Sequence, residues 1–168
     1  MQRDQLIAVI PRLRRYARLL SGDAARADDL VQDVLARACE KWHLYRPGSD
    51  LRAWLFSIMH NLNVNQWRDR AGESSIAAPA GEASVDPVPG IDTMLDLQNA
   101  LRQLSIEHRE VLALICVENL SYAAAADVLQ VPVGTIMSRL SRARAQLRER
   151  LDPSAPQPSV RPNLRVLK

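Results

Sequence analysis

The sequence predicts an all-α protein of two small helical domains, and three observations support this prediction. Hydrophobic residues make up 47% of the 168 residues but aromatic residues only 4%, a composition that favours helix packing over a β-sandwich. Long gaps between the ten prolines leave room for long helices. Apolar residues recur at helical spacing in two blocks. The blocks define domains at 1–70 and 94–151, with a flexible linker at 71–93 and a tail at 152–168 that we expect to be disordered.

The composition also excludes several classes of protein. No run of about 18 apolar residues occurs, so we expect no insertion into a membrane. The N-terminal segment lacks the basic-then-apolar layout of a signal peptide, and we therefore expect a cytoplasmic protein. Cys39 and Cys116 lie far apart and form no CxxC motif, which excludes a disulfide scaffold and a four-cysteine zinc site.

Three helices are predicted in the first domain. The first carries its apolar residues between Leu6 and Leu20, with room for a bend at Pro11. The second buries an apolar stripe around Val34. A loop follows it, and Asp50 is well placed to be the N-cap of the third helix. The third helix is expected to pack through Leu51, Trp54, Leu55, Ile58 and Leu62.

Polar residues line one face of the second and third helices. On the second, this face lies opposite the apolar stripe, within about 100° of arc, and consists of Asp29, Gln32, Asp33 and Glu40. On the third, the polar stripe consists of Ser57, Asn61, Asn65 and Arg68, and the neighbouring side carries His60, Asn63 and Trp67. Both faces are therefore candidates for contact with a partner.

The third helix has side chains that suit unpaired nucleotide bases. Exposed aromatic rings stack on such bases, and amide or guanidinium groups form hydrogen bonds with them. The residues that fit this role are Asn61, Asn65, Trp67 and Arg68. A tryptophan near a helix end is equally compatible with core packing or with a protein contact, so the pattern alone leaves both interpretations open.

The second domain contains a predicted helix-turn-helix. Ser121 can cap a short helix over residues 122–129, as Ser105 can cap the helix before it. A turn with a glycine at 130–134 then leads into a helix over about 135–151. Two short helices joined by a tight turn, the second of them basic, have the layout of a DNA-binding helix-turn-helix.

The last helix carries side chains that suit the recognition of duplex DNA. Its exposed face near the N-terminal end, where a recognition helix presents groups to base edges, carries Thr135, Ser138, Arg139 and Arg142. Arg144 and Arg148 flank the apolar stripe and are better placed for phosphates. Five arginines and one acidic residue lie between residues 134 and 150. A solvated basic helix that binds nothing is the weaker alternative, because a recognition-type turn precedes this helix.

No set of residues indicates catalysis, a metal site or a cofactor. Cys39 and His43 are spaced to share a metal, but no third or fourth ligand is nearby and a filled zinc site needs about four. The sequence contains no Gly-rich phosphate loop, and no Ser/His/Asp or Cys/His set with supporting context. We therefore expect no catalytic residue, no metal and no cofactor, and a protein that is not an enzyme.

These motifs resemble the conserved regions of bacterial RNA polymerase sigma factors. The second conserved region is similar to DDLVQDVLARACEKW followed by DLRAWLFSIMHNLNVNQWRDR. The fourth is similar to LSIEHREVLALICVENLSYAAAADVLQVPVGTIMSRLSRARAQLRERL. Because the linker is short and acidic, with no domain between the two regions, the chain resembles the extracytoplasmic-function (ECF) group. The resemblance covers about residues 5–70 and 94–151.

The resemblance implies a transcription initiation factor with three binding surfaces. The surface that docks on the clamp coiled coil of the largest polymerase subunit would comprise Asp29, Gln32 and Asp33. The melted, single-stranded −10 element would be captured by the loop and helix that carry Arg46, Ser49, Asp50, Asn61, Asn65 and Arg68. The −35 duplex would be read by Ser138, Arg139 and Arg142. The expected partners are thus core RNA polymerase, promoter DNA and, from the habit of the family, an anti-sigma factor.

The predicted linker is long enough for two promoter sites. About 23 flexible residues span on the order of 26 Å on average and roughly 80 Å when taut. Two promoter elements about 17 base pairs apart are separated by roughly 58 Å, at about 3.4 Å per pair. The linker can therefore bridge them.

The chain departs from the family pattern at two places. The family often has Lys or Arg where this chain has Met137, so the −35 preference can differ or depend more on Arg142. Ala124 and Ala125 replace a usual acidic pair, a neutral change within a helix.

The main alternative to a sigma factor is a stand-alone helix-turn-helix regulator with an N-terminal dimerisation domain. Another is an interaction protein that sequesters a regulator.

Overall fold

The computed structural model describes residues 2–73 and 92–151, with side chains described for 4–65 and 96–151. Within these ranges all regular elements are helical, which confirms the predicted all-α fold. The seven α-helices are α1 (Gln2–Ser21), α2 (Ala24–Glu40), α3 (Leu51–Glu73), α4 (Asp92–Arg102), α5 (Ile106–Leu112), α6 (Tyr122–Leu129) and α7 (Val133–Leu151). None of these helices is both long enough and apolar enough to cross a membrane.

Three of the predicted helix starts are confirmed by their caps. The Asp50 carboxylate accepts a hydrogen bond from the backbone N–H of Arg52 at 2.9 Å, at the start of α3. The Ser105 and Ser121 hydroxyls accept backbone N–H groups three residues ahead, at 3.3 and 3.1 Å. Each cap satisfies a donor that the first helical turn leaves without a partner.

Some helix boundaries differ from the predicted ones. α1 is a single helix that includes Pro11. The helix after Ser105 divides into α5 and a π-helical turn at Ala113–Val117, in which the Glu118 N–H bonds to the Ala113 carbonyl at 2.9 Å. α7 begins at Val133, two residues before the predicted start, because the Pro132 carbonyl already accepts N–H groups of the first turn.

Both ends of the predicted linker are helical. α3 continues to Glu73 and α4 begins at Asp92, so residues 71–73 and 92–93 belong to helices. The rest of the predicted linker and the predicted tail at 152–168 lie outside the described residues.

The core of the first domain lies where α1, α2 and α3 pack together. Its largest fully buried side chains include Leu13 and Tyr16 of α1 and Phe56 and Met59 of α3. The rings of Tyr16 and Phe56 meet with their centroids 4.9 Å apart. The predicted apolar face of α3 contained Leu55 and Ile58, both buried, but it omitted Phe56 and Met59.

The two domains pack against each other in an arrangement that the sequence did not predict. α3 packs on α6, and α1 packs on α5, so that the buried apolar residues of both domains form one continuous cluster. Two arginines of the second domain hydrogen-bond to carbonyls at the end of α1: Arg109 donates to Leu20 at 3.0 Å and Arg102 to Gly22 at 3.1 Å. We call this the closed arrangement.

Two buried carboxylates of the second domain face the first domain across this interface. Glu110 lies 2.8 Å from Nδ1 of His60 on α3, and its side chain is only 4% exposed. Glu118, 1% exposed, lies 3.7 Å from the guanidinium of Arg12 and 3.8 Å from that of Arg15. Burial raises the pKa of Glu118 above its ordinary value, and the nearby arginines oppose that shift only in part.

The raised pKa gives a prediction for stability against pH. An ionised Glu118 is penalised by burial in the folded chain and not in the unfolded chain, so its contribution to stability falls as the pH rises through the raised pKa. Glu118→Gln, which is neutral at all pH values, should therefore melt at a higher temperature than the wild type near pH 8. The difference should shrink as the pH is lowered towards 5.

Thermal unfolding followed by circular dichroism between pH 5 and 8 measures this difference. Glu107→Gln is the matched control, because Glu107 is an exposed glutamate of the same domain. A difference that stays constant with pH, or grows on acidification, would contradict the assignment of a penalised carboxylate to Glu118.

Candidate nucleic-acid and protein interfaces

The acidic face of α2 is exposed. Asp29, Gln32 and Asp33 all point to solvent, while the stripe behind them is buried through Leu30 and Val34. Within the described part of the chain these three polar side chains form no hydrogen bond or ion pair. Since the fold does not use them, they are available to a partner.

The neighbouring acids on α2 differ from this trio. Asp28 lies 3.2 Å from the guanidinium of Arg14 on α1, and Glu40 pairs with Arg37 at 3.0 Å. Both therefore have partners within the first domain. The acidic surface that remains open is confined to the N-terminal half of α2.

A polar cleft separates α2 from α3. Asn61 and Asn65 of α3 line it together with Arg37 of α2 and with Lys41, the residue after α2; Ile58 and Leu62 form its apolar part, and its volume is about 280 Å³. Amide groups can both donate to and accept from a base edge, and the ammonium group of Lys41 suits a phosphate oxygen, whereas the guanidinium of Arg37 is paired with Glu40. The cleft thus offers base-binding and phosphate-binding groups side by side.

The contribution of Arg37 and Lys41 to this cleft was not predicted from the sequence. The two residues are four apart, a spacing that would place both side chains on one face of a continuous helix. That spacing was the available signal, but the sequence did not indicate which face of α2 approaches α3. The side chains of Trp67 and Arg68, the two other predicted base-binding residues on α3, lie outside the described residues.

The loop before α3 is held by its own polar groups. The Tyr45 hydroxyl donates to the Ser49 carbonyl at 2.8 Å, and the Ser49 hydroxyl donates to the Arg46 carbonyl at 2.8 Å. Gly48 has a φ of +90°, a conformation that side-chain-bearing residues rarely adopt. Of the predicted loop residues, only Arg46 is exposed without a partner for its side chain among the described residues.

Asp50 has a structural role at the start of α3. Its second carboxylate oxygen lies 2.9 Å from the Arg52 guanidinium, and the first caps the helix. Partial burial opposes ionisation of this carboxyl, but the hydrogen bonds from the Arg52 side chain and backbone outweigh it and lower the pKa of Asp50. The carboxylate is therefore ionised and engaged within the chain.

Three aromatic rings brace this loop against α3. The Tyr45 ring contacts both Trp42 and Trp54, with centroid distances of 5.2 and 5.3 Å. The two tryptophans meet edge to face at 5.9 Å. All three side chains are half-buried. The cluster therefore fixes the position of the loop beside α3.

Some arginines of α7 are bonded to neighbouring side chains, and others have no partner in the part of the chain that the structure describes. Arg139 lies 3.2 Å from Glu107 of α5, and its side chain is only 22% exposed. Arg144 donates to the Cys116 sulfur at 3.5 Å, and Arg150 donates to Gln103 at 3.1 Å. Arg142 and Arg148 are exposed and have no partner within the described residues.

Two smaller predicted side chains complete this face. Ser138 is exposed, and its hydroxyl donates to the Thr135 carbonyl at 3.0 Å while it can still accept a hydrogen bond from outside. Thr135 is half-buried at the first turn. The face thus combines the free guanidinium of Arg142 with a hydroxyl one helical turn earlier.

Metal ligation has no support in the described part of the chain. No three His, Cys, Asp or Glu side chains in these ranges lie close enough to hold an ion. Cys39 is a free, exposed thiol.

Comparison with known families identifies both domains as sigma-factor domains. Residues 6–60 match the family described as the Sigma2 domain of PhyR, and residues 94–147 match Sigma-70, region 4. The chain is 40% identical to the ECF RNA polymerase sigma factor EcfG of Rhodopseudomonas palustris, over 86% of this chain and 82% of the relative. The chain belongs to the ECF RNA polymerase sigma factors.

Solved structures of similar chains agree with this assignment. The sigma factor RpoE from Bartonella quintana, crystallised with the anti-sigma factor NepR, is 37% identical and superposes with a TM-score of 0.74, covering 91% of this chain and 98% of that one. CnrH, in complex with the cytosolic domain of CnrY, is 28% identical with a TM-score of 0.68 and 92% coverage of both chains.

Membership of this family confirms the predicted function. The chain directs RNA polymerase to promoters, and a stand-alone helix-turn-helix regulator is not favoured.

Proposed function

We propose that promoter recognition by this chain uses three surfaces, each of which binds a different partner. The exposed face of α2 that carries Asp29, Gln32 and Asp33 docks on core polymerase. The cleft between α2 and α3, together with Arg46, holds the single-stranded −10 element. Ser138 and Arg142 on α7 read the −35 duplex, and Arg148 binds a phosphate. The observation that carries this proposal is the presence of unpaired cationic or amide groups on two different domains of one chain, beside an acidic face that the fold does not use.

The mechanism requires no covalent chemistry. Groups that hydrogen-bond to unpaired bases bind only the melted form of the −10 element, because pairing hides those edges in the duplex. Capture of the bases therefore shifts the promoter from the closed to the open duplex. The −35 contacts hold the duplex in register while this happens.

Promoter binding through both domains requires the closed arrangement to open. α3 packs on α6, which packs on α7, so the cleft and the α7 face are about two interhelical distances apart, roughly 20 Å. The two promoter elements are separated by roughly 58 Å of duplex. Core polymerase must therefore separate the two domains when it positions them on promoter DNA.

We infer further that an anti-sigma factor controls this chain in the cytoplasm. The support is the likeness to the Bartonella RpoE and CnrH chains, which were crystallised with NepR and with the cytosolic domain of CnrY. A partner that binds the sigma factor away from polymerase keeps promoters silent until a signal releases it.

Transcription of a genomic promoter library by core polymerase, with and without the purified chain, tests the proposed function. We expect defined start sites only when both are present, with protection of upstream duplex and reactive, unpaired bases near the start site. Tight binding of the chain alone to duplex DNA as a symmetric dimer, without a stimulated transcript, would contradict the proposal.

The free arginines on α7 should have different effects on promoter binding. Arg142→Ala is expected to weaken holoenzyme binding by about 1–3 kcal/mol and to relax specificity at one or two −35 positions. Arg148→Ala should weaken binding evenly across sequences and reduce its salt dependence, as loss of one phosphate contact does. Arg139→Ala should have a smaller effect than Arg142→Ala because Glu107 already holds its guanidinium.

Footprinting on a set of promoter variants at several salt concentrations separates these effects. Arg150→Ala is a suitable control, since its guanidinium is engaged by Gln103. Equal losses on all promoter variants for Arg142→Ala would show that this residue does not contact a base edge.

A further inference from the structure

We propose that Val133 and Met137 form an apolar surface on α7 that reads thymine methyl groups in the −35 duplex. This inference rests on the proposed −35 function of α7 and extends it from hydrogen bonding to apolar base recognition. It also assigns a function to the position where the family pattern has a basic residue.

The two side chains are large, apolar and exposed. Met137 is 54% and Val133 is 42% exposed, whereas Ile136 and Leu140, which face the core, are 0% and 3% exposed. They are four residues apart, so they lie next to each other on the same side of α7. Neither contributes to the buried core of the domain, so both side chains are free to contact a partner.

Their position on the helix places them beside the DNA-binding face. Measured from Ile136 at about 100° per residue, Val133 and Met137 lie roughly 60–100° around the axis, on the same flank as Arg144 and Arg148. Ser138 and Arg142 lie at about 200–240° on the other flank. The N-terminal end of α7 therefore presents hydrogen-bonding groups on one flank and an apolar pair on the other.

A thymine methyl group in the major groove is a suitable partner for this apolar pair. The thymine C5 methyl is the one apolar group on base edges in that groove, and apolar side chains recognise it. The guanidinium of Arg148, which is exposed and has no partner among the described residues, follows the pair along the same flank and has the charge to bind a phosphate of the same duplex. An apolar pair at the N-terminal end of a recognition helix, with a free cation further along the same flank, fits a thymine methyl.

Replacing thymine by uracil removes the methyl group and leaves every hydrogen-bonding group of the base in place. The experiment uses a promoter identified by the transcription assay. A set of duplexes is made from it, and in each duplex one thymine of the −35 element, on either strand, is replaced by uracil. Binding of the holoenzyme is then measured for the wild type and for Met137→Ala and Val133→Ala. We expect at least one uracil to weaken binding of the wild-type holoenzyme about fourfold, which is the change in affinity expected from the loss of one buried methyl-sized group.

The same uracil should have little effect on Met137→Ala, because the partner of the methyl has been removed. This loss of coupling between side chain and methyl is the quantity that a double-mutant cycle measures. Leu44→Ala is the control, since Leu44 is a comparably exposed apolar residue of the first domain and should keep the full sensitivity to uracil. Circular dichroism verifies that each variant is folded.

Met137→Lys provides an independent measurement. The lysine should abolish the sensitivity to uracil and increase the salt dependence of binding by about one phosphate contact. The inference is overturned if no uracil weakens the wild type, or if each uracil has the same effect on the wild type and on both alanine variants. Failure of the holoenzyme to protect any −35 duplex would instead overturn the proposed function itself.

Discussion

Asp29→Arg combined with Asp33→Arg is expected to abolish capture by core polymerase while the chain stays folded. Both carboxylates are exposed and unpaired among the described residues, and neither lies in the first turn of α2, so each replacement should change the stability of the fold by no more than about 0.5 kcal/mol. Opposed like charges at an interface cost several kcal/mol. Each 1.4 kcal/mol is about tenfold in affinity, so binding should fall by a factor of at least about a thousand.

Pull-down of core polymerase and circular dichroism measure the two effects side by side. The control is Asp96→Arg combined with Asp127→Arg, which makes the same change in net charge at two exposed positions of the second domain. That variant should keep polymerase binding. Normal capture of polymerase by the folded Asp29/Asp33 variant would exclude this face as the docking surface.

His60→Ala is expected to open the closed arrangement. In that arrangement Glu110 is buried and its carboxylate is 2.8 Å from the His60 ring, whereas in separated domains it is hydrated. Loss of a hydrogen bond to a buried charged group costs about 1.5–3 kcal/mol, which shifts the equilibrium towards the open form by roughly 10- to 150-fold. His60→Gln, which can still donate to the carboxylate, should restore part of the closed population.

The chain offers its own sites for measuring this equilibrium. Cys39 on α2 and Cys116 in the second domain are both free and exposed, so a dye pair attached to them reports the separation of the domains by energy transfer. Transfer should fall in His60→Ala and stay unchanged in His43→Ala, the control at an exposed histidine of the same domain. Unchanged transfer in His60→Ala would show that the His60–Glu110 contact does not hold the domains together.

The sequence predicted the parts of this fold that depend on local chemistry. Helix starts at Asp50, Ser105 and Ser121 follow from side chains that reach N–H groups two or three residues ahead, and such contacts are visible in a short window of sequence. The turn between α6 and α7 was also predicted, but its left-handed residue is Gln130, with a φ of +54°, and Gly134 lies inside α7.

The packing of α3 was harder to predict because the helix is buried on more than one side. It packs on α1 and α2 in its own domain and on α6 in the other. A helix with several partners has apolar residues around much of its surface, so the single-stripe pattern that identifies a core face is lost. That is why Phe56 and Met59 were not recognised as core residues.

Long-range pairing also limited the prediction of the candidate interfaces. The exposure of Asp29, Gln32 and Asp33 follows from the period of α2 alone. The pairing of Arg139 with Glu107, and the approach of Arg37 to Asn61, join residues on different helices. No pattern within one helix carries that information, so a single sequence shows which side chains are present but not which of them are engaged.

The closed arrangement also determines how many DNA contacts one molecule can make at a time. While α3 and α6 are packed together, the chain would be in effect a monovalent ligand, because only one of its two proposed DNA-binding surfaces could occupy its promoter element. Separation of the domains makes it bivalent, and joining two sites in this way commonly raises affinity about 10²- to 10⁴-fold without any new contact. Free copies of the protein therefore compete poorly for promoters, and promoter occupancy follows the number of polymerase-bound copies rather than the total.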